Sequence, residues 1–471
     1  MASKNKPETV DVVVLGMGPG GESVAGELAA AGLSVVGVEA RLVGGECPYY
    51  GCIPSKMMIR AGNVMAEALR IPDLAGTVEV APDFTQVARR IRTEGTDNWD
   101  DTVAAERFTA KGGVLVRGTG RLTGPREVTV STHDGGHRTF RARLAIVLNP
   151  GTNPAVPEVP GLAGTPFWTN REAVQAADAP ASMVVWGGGP IAVELAQAFT
   201  RFGTKVTMVL RGSRLLTREE PETSELLASV LRNEGVKILT NKALTSVTHA
   251  QGRFQLSFSD GISPSSLRAD QLLVATGRAQ ALAEVGLSAA EISCDLKGAP
   301  ALDQYLQLAN GLYLIGDAAG AGAFTHMSMY QGNIVAGHIL ARHLEQADRG
   351  TADNHAVPRV TFTDPEIGVV GLTESQARDA GLSVRVGLTK VGESARGWIH
   401  GAGNDGFIKV IEDADAGVLV GATSVGPMGG EVLSMLALAV HARIPVSTLE
   451  SMIYAYPTFH RAIPEALKNL H

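Results

Sequence analysis

Cysteine is scarce in this chain, with three residues in 471. So few cannot form the framework of a disulfide-stapled fold. Two of them, Cys47 and Cys52, fall in one short run, Gly44-Gly45-Glu46-Cys47-Pro48-Tyr49-Tyr50-Gly51-Cys52-Ile53-Pro54-Ser55-Lys56. That concentration points to a thiol/disulfide switch and away from a structural staple. The third, Cys294 in Ala290–Leu296, reads as a buried thiol. A basic excess is also missing: 41 Lys and Arg stand against 48 Asp and Glu, for a formal charge of -7. Nucleic-acid binding normally needs a cationic face, so no such partner is expected. Charges or glycine-proline breaks interrupt every apolar stretch before it could cross a bilayer, so no membrane partner is expected either. The polar stretch Met1–Glu8 runs straight into an apolar strand without a signal-peptide cleavage pattern, and a cytoplasmic location is expected. A reducing compartment suits a disulfide that must open and close.

What is present is a folded, enzyme-sized composition: 45% hydrophobic, 19% charged, and long enough for about three domains. The chain opens as a β-α-β unit, with a strand at Asp11–Leu15, a helix at Gly21–Ala31 and a strand at Val35–Glu39. Its turn, Gly16-Met17-Gly18-Pro19-Gly20-Gly21, matches G-x-G-x-x-G, and Glu39 has the spacing of a ribose-binding acid. The pattern returns at Met183–Trp186, where Gly187-Gly188-Gly189-Pro190-Ile191-Ala192 opens a helix through Phe202 before the strand Lys205–Leu210. This second strand ends in Leu210-Arg211-Gly212-Ser213-Arg214. Arginines there can hold a 2′-phosphate, so NADPH is expected in preference to NADH.

A helical segment, roughly Lys56–Ala110, and a β-rich stretch ending at Asn149-Pro150-Gly151-Thr152 separate the two units. The run Gln271–Val274 with Ala275-Thr276-Gly277-Arg278, then Leu312–Ile315 with Gly316-Asp317, reads as the return to the first fold. A polar linker at Gln346–His355 precedes a third, mixed segment, Arg359–His471. The expected architecture is α/β. Two Rossmann-like dinucleotide-binding domains, at 1–152 with a return over 278–350 and at 153–277, are followed by a C-terminal α+β dimerisation domain at 351–471.

Two glycine turns bracketing C-x4-C-x-x-P-S-K, followed by Gly316-Asp317 and Tyr456-Pro457-Thr458, resemble the pyridine nucleotide–disulfide oxidoreductases. That family includes glutathione and mycothione reductases, dihydrolipoamide dehydrogenase and mercuric reductase. The resemblance covers nearly the whole chain. It implies FAD in the first fold, held by Gly16, Gly18, Gly20, Gly21, Glu39, Gly45, Glu46, Gly151, Gly277, Gly316, Asp317 and Met327. Gly187, Gly189, Pro190, Ile191, Arg211 and Arg214 would take NADPH. It further implies that Cys52 faces the flavin and Cys47 exchanges with substrate, and that Lys56 approaches flavin N5 paired with Glu194. The N-terminus of a helix starting at Thr325-His326-Met327-Ser328 and running through Ile339 would point at the flavin pyrimidine. A homodimer is implied, each acceptor site combining one chain's cysteines with the other's C-terminal segment.

The resemblance breaks at the C-terminus. Where these reductases carry a histidine and, five residues on, a glutamate, this chain has Tyr456 and Arg461. General acid–base help to the thiols, typically worth about 10²–10⁴-fold, is then missing. His460 and Glu465 repeat the spacing four residues later, a displacement of about 6 Å along a helix, with Pro464 able to restart the helix. Alternatively Tyr456 serves a substrate needing no strong base, or the pocket takes a quinone between Tyr49, Tyr50 and Tyr456. Pro190 stands where many relatives carry a tyrosine over the flavin. The expected activity is NADPH-dependent reduction of a small-molecule electron acceptor, foremost a low-molecular-weight disulfide or thiol-bound compound. A quinone or a metal ion is the enzymatic alternative, and a non-catalytic flavin-binding redox sensor is the alternative of another class. No resident metal is expected.

Overall fold

The computed structural model describes residues 6–259, 261, 264–292 and 300–471; Cys294 lies outside them. The protein is α/β and divides into two units, each discontinuous in sequence. The first comprises Met1–Pro54, Arg92–Pro154 and Arg278–Asn354; the second comprises Ser55–Ile91, Ala155–Gly277 and His355–His471.

The first unit is built on a seven-stranded sheet. Its parallel strands run in the order Val114–Gly124, Val35–Glu39, Glu8–Leu15, His137–Leu148 and Leu312–Leu314. Side chains alternate faces along a strand. Val12 and Val14 therefore pack with Val24, Leu28, Val335 and Ile339 of the helices Pro19–Ala30 and Thr325–Leu344. Val13 and Leu15 face the opposite layer, with Val128, Val130 and Phe140 of an antiparallel meander. Leu15 pairs with both Val38 and Leu148, and Leu314 also pairs with Leu148. The carboxyl ends of four strands are thus level, and Gly16, Glu39, Asn149 and Gly316 emerge along one edge.

The first strand begins at Glu8, three residues earlier than expected. Glu8 lies in register with Phe140, and its carboxylate pairs with Arg138 at 2.8 Å. The Thr325 helix runs to Leu344, past the expected Ile339, and ends where Glu345 turns left-handed at φ 54°.

In the second unit a four-stranded parallel sheet has the order Gln271–Val274, Ser182–Trp186, Lys205–Val209 and Lys237–Leu239. The helix Pro190–Arg201 follows its central strand. The C-terminal part is a five-stranded antiparallel sheet, Pro358–Thr361, Glu366–Gly371, Val418–Gly426, Phe407–Asp413 and Val384–Lys390. The helices Gly429–His441 and Ile463–Lys468 pack on it through Leu433, Leu436, Ile463 and Leu467. His441 does not join this core. It is exposed and stacks on His355, with ring centroids 5.6 Å apart.

Candidate active site

Cys47 lies on a single helical turn, Glu46–Tyr49, and Cys52 opens the helix Cys52–Leu69. The chain reverses between them. The Tyr50 N–H donates to the Glu46 carbonyl at 2.8 Å, and at Gly51 a Cβ would stand 3.1 Å from that oxygen and 3.6 Å from Cys47 Cα. Close folding of Gly51 over the Cys47 backbone is what a five-residue separation needs to bring two sulfurs together. Cys47 is half-buried and Cys52 exposed. The Cys52 Sγ lies 3.4 Å from the Thr325 Oγ1, at the first residue of the Thr325–Leu344 helix. No side chain caps that helix start, and its peptide dipoles favour negative charge there.

A second clamp holds the same turn. Asp97, Asn98 and Trp99 all adopt positive φ, at 47°, 57° and 59°, which is costly for residues with a Cβ. The conformation aims the Trp99 indole N–H at the Tyr49 carbonyl at 3.0 Å, while the Tyr49 hydroxyl donates to the Asp100 carbonyl at 3.3 Å. Trp99 was not among the expected site residues, and of Thr325 only its place at the helix start was expected, not its hydroxyl beside Cys52. Asn98, tolerant of the left-handed region, is the one local signal of the Trp99 turn.

The first glycine turn is shaped by close backbone approach. A Cβ on Gly16, at φ 92°, would come 2.1 Å from the Asn149 carbonyl, and one on Gly21 would come 2.0 Å from the Gly16 carbonyl. Gly18 is the uncapped N-cap of the Pro19–Ala30 helix. Gly20 donates its N–H to the Ser328 hydroxyl at 3.1 Å. Gly45 crosses so near that its Cβ would lie 2.9 Å from Gly18 Cα. Glu39 is buried at 8% exposure, and each carboxylate oxygen accepts one backbone N–H, from Met17 at 2.8 Å and Arg41 at 2.7 Å. Burial nevertheless holds its carboxyl above the ordinary range. Asp317 accepts from the Thr152 hydroxyl at 2.8 Å, and Arg278 reaches both Asp317, at 4.0 Å, and Glu46, at 3.6 Å. Met327 is buried; Gly151, Gly277 and Gly316 have positive φ. An open helix start, glycine walls and a buried acid with spare acceptor capacity fit a dinucleotide.

The second turn repeats this. A Cβ on Gly187 would strike the Ala275 carbonyl at 2.1 Å, whereas Gly189, the uncapped N-cap before Pro190 and Ile191, has nothing within 4 Å. The two arginines differ. Arg211 is exposed, while the Arg214 guanidinium donates to the carbonyls of Leu216, Thr217 and Glu219 and to the Ser224 hydroxyl. Glu194, on the same helix, is 5% exposed and pairs with the Lys56 Nζ at 2.8 Å; its other oxygen accepts the Phe362 N–H at 2.8 Å.

At the C-terminus Tyr456 is 73% exposed. His460 is half-buried, and Glu465 pairs with Arg461 and Lys468, both at 3.2 Å, so it does not orient His460 within the chain. Pro464 sits in the first turn of Ile463–Lys468. Among the described residues no group of three His, Cys, Asp or Glu is placed to hold a metal ion, and no helix is long and apolar enough to cross a membrane.

Two dinucleotide turns and a cysteine pair set in a tight reversal define a nucleotide-dependent redox protein. Residues 10–332 match the family model for pyridine nucleotide-disulphide oxidoreductases, and residues 357–467 match the dimerisation domain of that family. The chain belongs to this family, whose enzymes use FAD and a pyridine nucleotide. A mercuric reductase of Acidithiobacillus ferrooxidans is 31% identical over 466 residues, covering 97% of this chain and 82% of the relative. A dihydrolipoyl dehydrogenase of Thermus scotoductus is 31% identical over 479 residues, covering 98% of each. Among solved structures, the HOCl-induced flavoprotein disulfide reductase RclA from Escherichia coli superposes with a TM-score of 0.82 at 26% identity, over 98% of this chain and 99% of that one.

Proposed function

We propose that the chain is an NADPH-dependent FAD flavoprotein that reduces a small acceptor through a Cys47–Cys52 disulfide, working as a homodimer. The observation that carries this reading is the reversal at Gly51, with Cys52 set against Thr325 at an uncapped helix start. Bound FAD would supply two-electron transfer between the nicotinamide and the sulfur pair. The open first turn at Gly18–Gly21 would take its pyrophosphate, Glu39 would accept ribose hydroxyls, and Gly45, Glu46, Gly151, Gly277, Gly316, Asp317 and Met327 would line the remainder. Gly187, Gly189, Pro190 and Ile191 would hold the second nucleotide. Arg211 is available for a 2′-phosphate, and Arg214 shapes the loop that presents it.

Cys52 is the thiol held ionised, favoured by the Thr325 hydroxyl and the helix start. Cys47 attacks the acceptor. For a disulfide acceptor the balance is one NADPH, one proton and one disulfide giving NADP⁺ and two thiols. Lys56 and Glu194 tune the hydride step. Ile453, 94% exposed, and the exposed side chains of Trp398, Leu438 and Tyr456 all fall in the region matching the dimerisation domain and are suited to burial against a second copy. A cytoplasmic setting suits a pair that must reopen in every turnover.

A second acceptor class, a soft metal ion bound as substrate, is favoured by two names among the relatives. One is a mercuric reductase, and RclA is also known as a Cu(II) complex. The test is an anaerobic NADPH titration followed by a panel of glutathione-type disulfide, lipoamide, quinone, mercuric ion and Cu(II), on wild type and Cys47→Ser. A long-wavelength band on reduction and loss of disulfide reduction in the variant support the relay. An unchanged flavin spectrum with NADPH would overturn it, and full activity of Cys47→Ser would assign electron exit to the flavin.

A further inference from the structure

The Lys56–Glu194 pair is held by a third residue from a distant part of the sequence. The Lys56 Nζ lies 4.7 Å from the centroid of the Phe362 ring, within the reach of a cation–π contact. The same residue donates its backbone N–H to Glu194 Oε1 at 2.8 Å, while Lys56 takes Oε2 at the same distance. Both carboxylate oxygens are therefore engaged, and Phe362 touches both members of the pair. Lys56 needs such a hold. Its side chain is 34% exposed on a flexible four-carbon stem, whereas that of Glu194 is 6% exposed and has little freedom.

Phe362 is itself fixed by its neighbours. Thr361 before it is buried and pairs with Ile367 in the sheet. Asp364 after it donates its N–H to Gln197 Oε1 and accepts from Gln197 Nε2, both at 2.8 Å. The Asp364 carboxylate takes Arg70 at 2.7 Å and Arg201 at 2.9 Å. Glu194, Gln197 and Arg201 follow one another at three and four residues, so they share a helix face. Arg70 lies just past the Cys52–Leu69 helix that carries Lys56. One short segment, Phe362–Asp364, thus pins both helices that supply the pair.

We propose that Phe362 is a positioning residue: its ring restrains the Lys56 ammonium and its N–H orients Glu194, so that a segment within the region matching the dimerisation domain sets the geometry of the pair. This rests on the reading of Lys56 and Glu194 as the groups that tune the hydride step.

The experiment compares wild type, Phe362→Leu, Phe362→Tyr and Lys56→Met as FAD-loaded proteins. Two quantities are read: the rate constant of flavin bleaching at saturating NADPH under anaerobic conditions, and the rate at which trinitrobenzenesulfonate labels Lys56, followed by peptide mass spectrometry. Phe362→Leu keeps the backbone N–H and removes the ring. It should bleach about three- to tenfold more slowly with NADPH affinity unchanged, and label Lys56 at least about threefold faster. Phe362→Tyr, which keeps the ring, should restore both. Wild-type rates of bleaching and labelling in Phe362→Leu, with Lys56→Met slow, would overturn the role of Phe362 and leave the Lys56 reading intact. Wild-type bleaching in Lys56→Met would instead sink the reading of the pair, and labelling would then decide alone whether Phe362 restrains Lys56. If Phe362→Leu fails to retain FAD, Phe362→Met replaces it in both measurements.

Discussion

The Cys52 Sγ and the Thr325 Oγ1, 273 residues apart in sequence, lie 3.4 Å from each other. Thr325 is the first residue of an uncapped helix, so both its hydroxyl and the peptide dipoles behind it favour a thiolate at Cys52. Replacing Thr325 with Val removes the hydroxyl and keeps the shape. In the reduced protein, iodoacetamide should alkylate Cys52 about three- to tenfold more slowly at pH 7, as expected for a donor worth about 1 kcal/mol. Peptide mass spectrometry provides the measurement, and an unchanged rate would mean that the hydroxyl does not act on the sulfur.

Trp99 restrains the other end of the cysteine turn. Phe in its place keeps the aromatic bulk and leaves the Tyr49 carbonyl without its indole donor. The loss should cost about 1 kcal/mol and lower the melting temperature by about 2 °C. It should also raise the reactivity of Cys47, which lies on the Glu46–Tyr49 turn and would be held less firmly. Differential scanning calorimetry and thiol titration check the two effects separately.

Much of the frame was legible from the chain. The strands Val35–Glu39 and Gln271–Val274 lie where apolar runs bounded by turn residues put them, because every residue of both is buried, the first between two neighbouring strands and the second at the edge of its sheet. The glycine turns were legible for a similar reason: Gly16 and Gly187 leave no room for a Cβ against a neighbouring carbonyl. What stayed hidden was long-range. Thr325 beside Cys52, Trp99 beside Tyr49 and Phe362 over Lys56 join residues 50 to 306 positions apart, and no local periodicity encodes such meetings. The early start of the first strand at Glu8 is another case, since it depends on a partner strand more than a hundred residues away.

Tyr49 gives a pH dependence. Burial first, then repulsion from Asp101, Glu22 and Asp100, pushes its phenol up to about 12. A group that holds its proton more tightly when folded stabilises the fold fully below its unfolded pKa, near 10, and that contribution is lost as pH rises towards 12. The unfolding midpoint should therefore fall between about pH 10 and 12 more steeply in wild type than in Tyr49→Phe. Denaturation series at these pH values, compared between the two proteins, test this. Parallel curves would mean that the phenol ionises as freely in the fold as in the unfolded chain.

Lys409 is a buried cation whose removal should be severe. Its Nζ meets Glu220 at 3.0 Å, Glu222 at 2.9 Å and Glu374 at 3.0 Å, with its side chain 3% exposed. Burial pulls the ammonium down, but the three carboxylates outweigh it and hold the group well above its ordinary range. Lys409→Met would leave Glu220, 2% exposed, as an uncompensated buried charge. A loss of about 3–5 kcal/mol is expected in urea denaturation, with much of it recovered in Lys409→Met/Glu220→Gln.

Arg211 and Arg214 lie three positions apart yet should fail in different ways. Arg211 is exposed. Arg214 closes that loop through the carbonyls of Leu216, Thr217 and Glu219 and the hydroxyl of Ser224 at 2.6 Å. A 2′-phosphate offers charge-assisted bonds that the free hydroxyl of NADH lacks. Arg211→Ala should therefore raise the KM for NADPH about tenfold, leave that for NADH unchanged and keep the melting temperature. Arg214→Ala should lower the melting temperature and weaken both nucleotides together, because the loop that receives either one loses its internal support. Steady-state kinetics with each nucleotide beside thermal melts separate the outcomes, and an equal effect of Arg211→Ala on NADPH and NADH would remove the basis for a preference at this position.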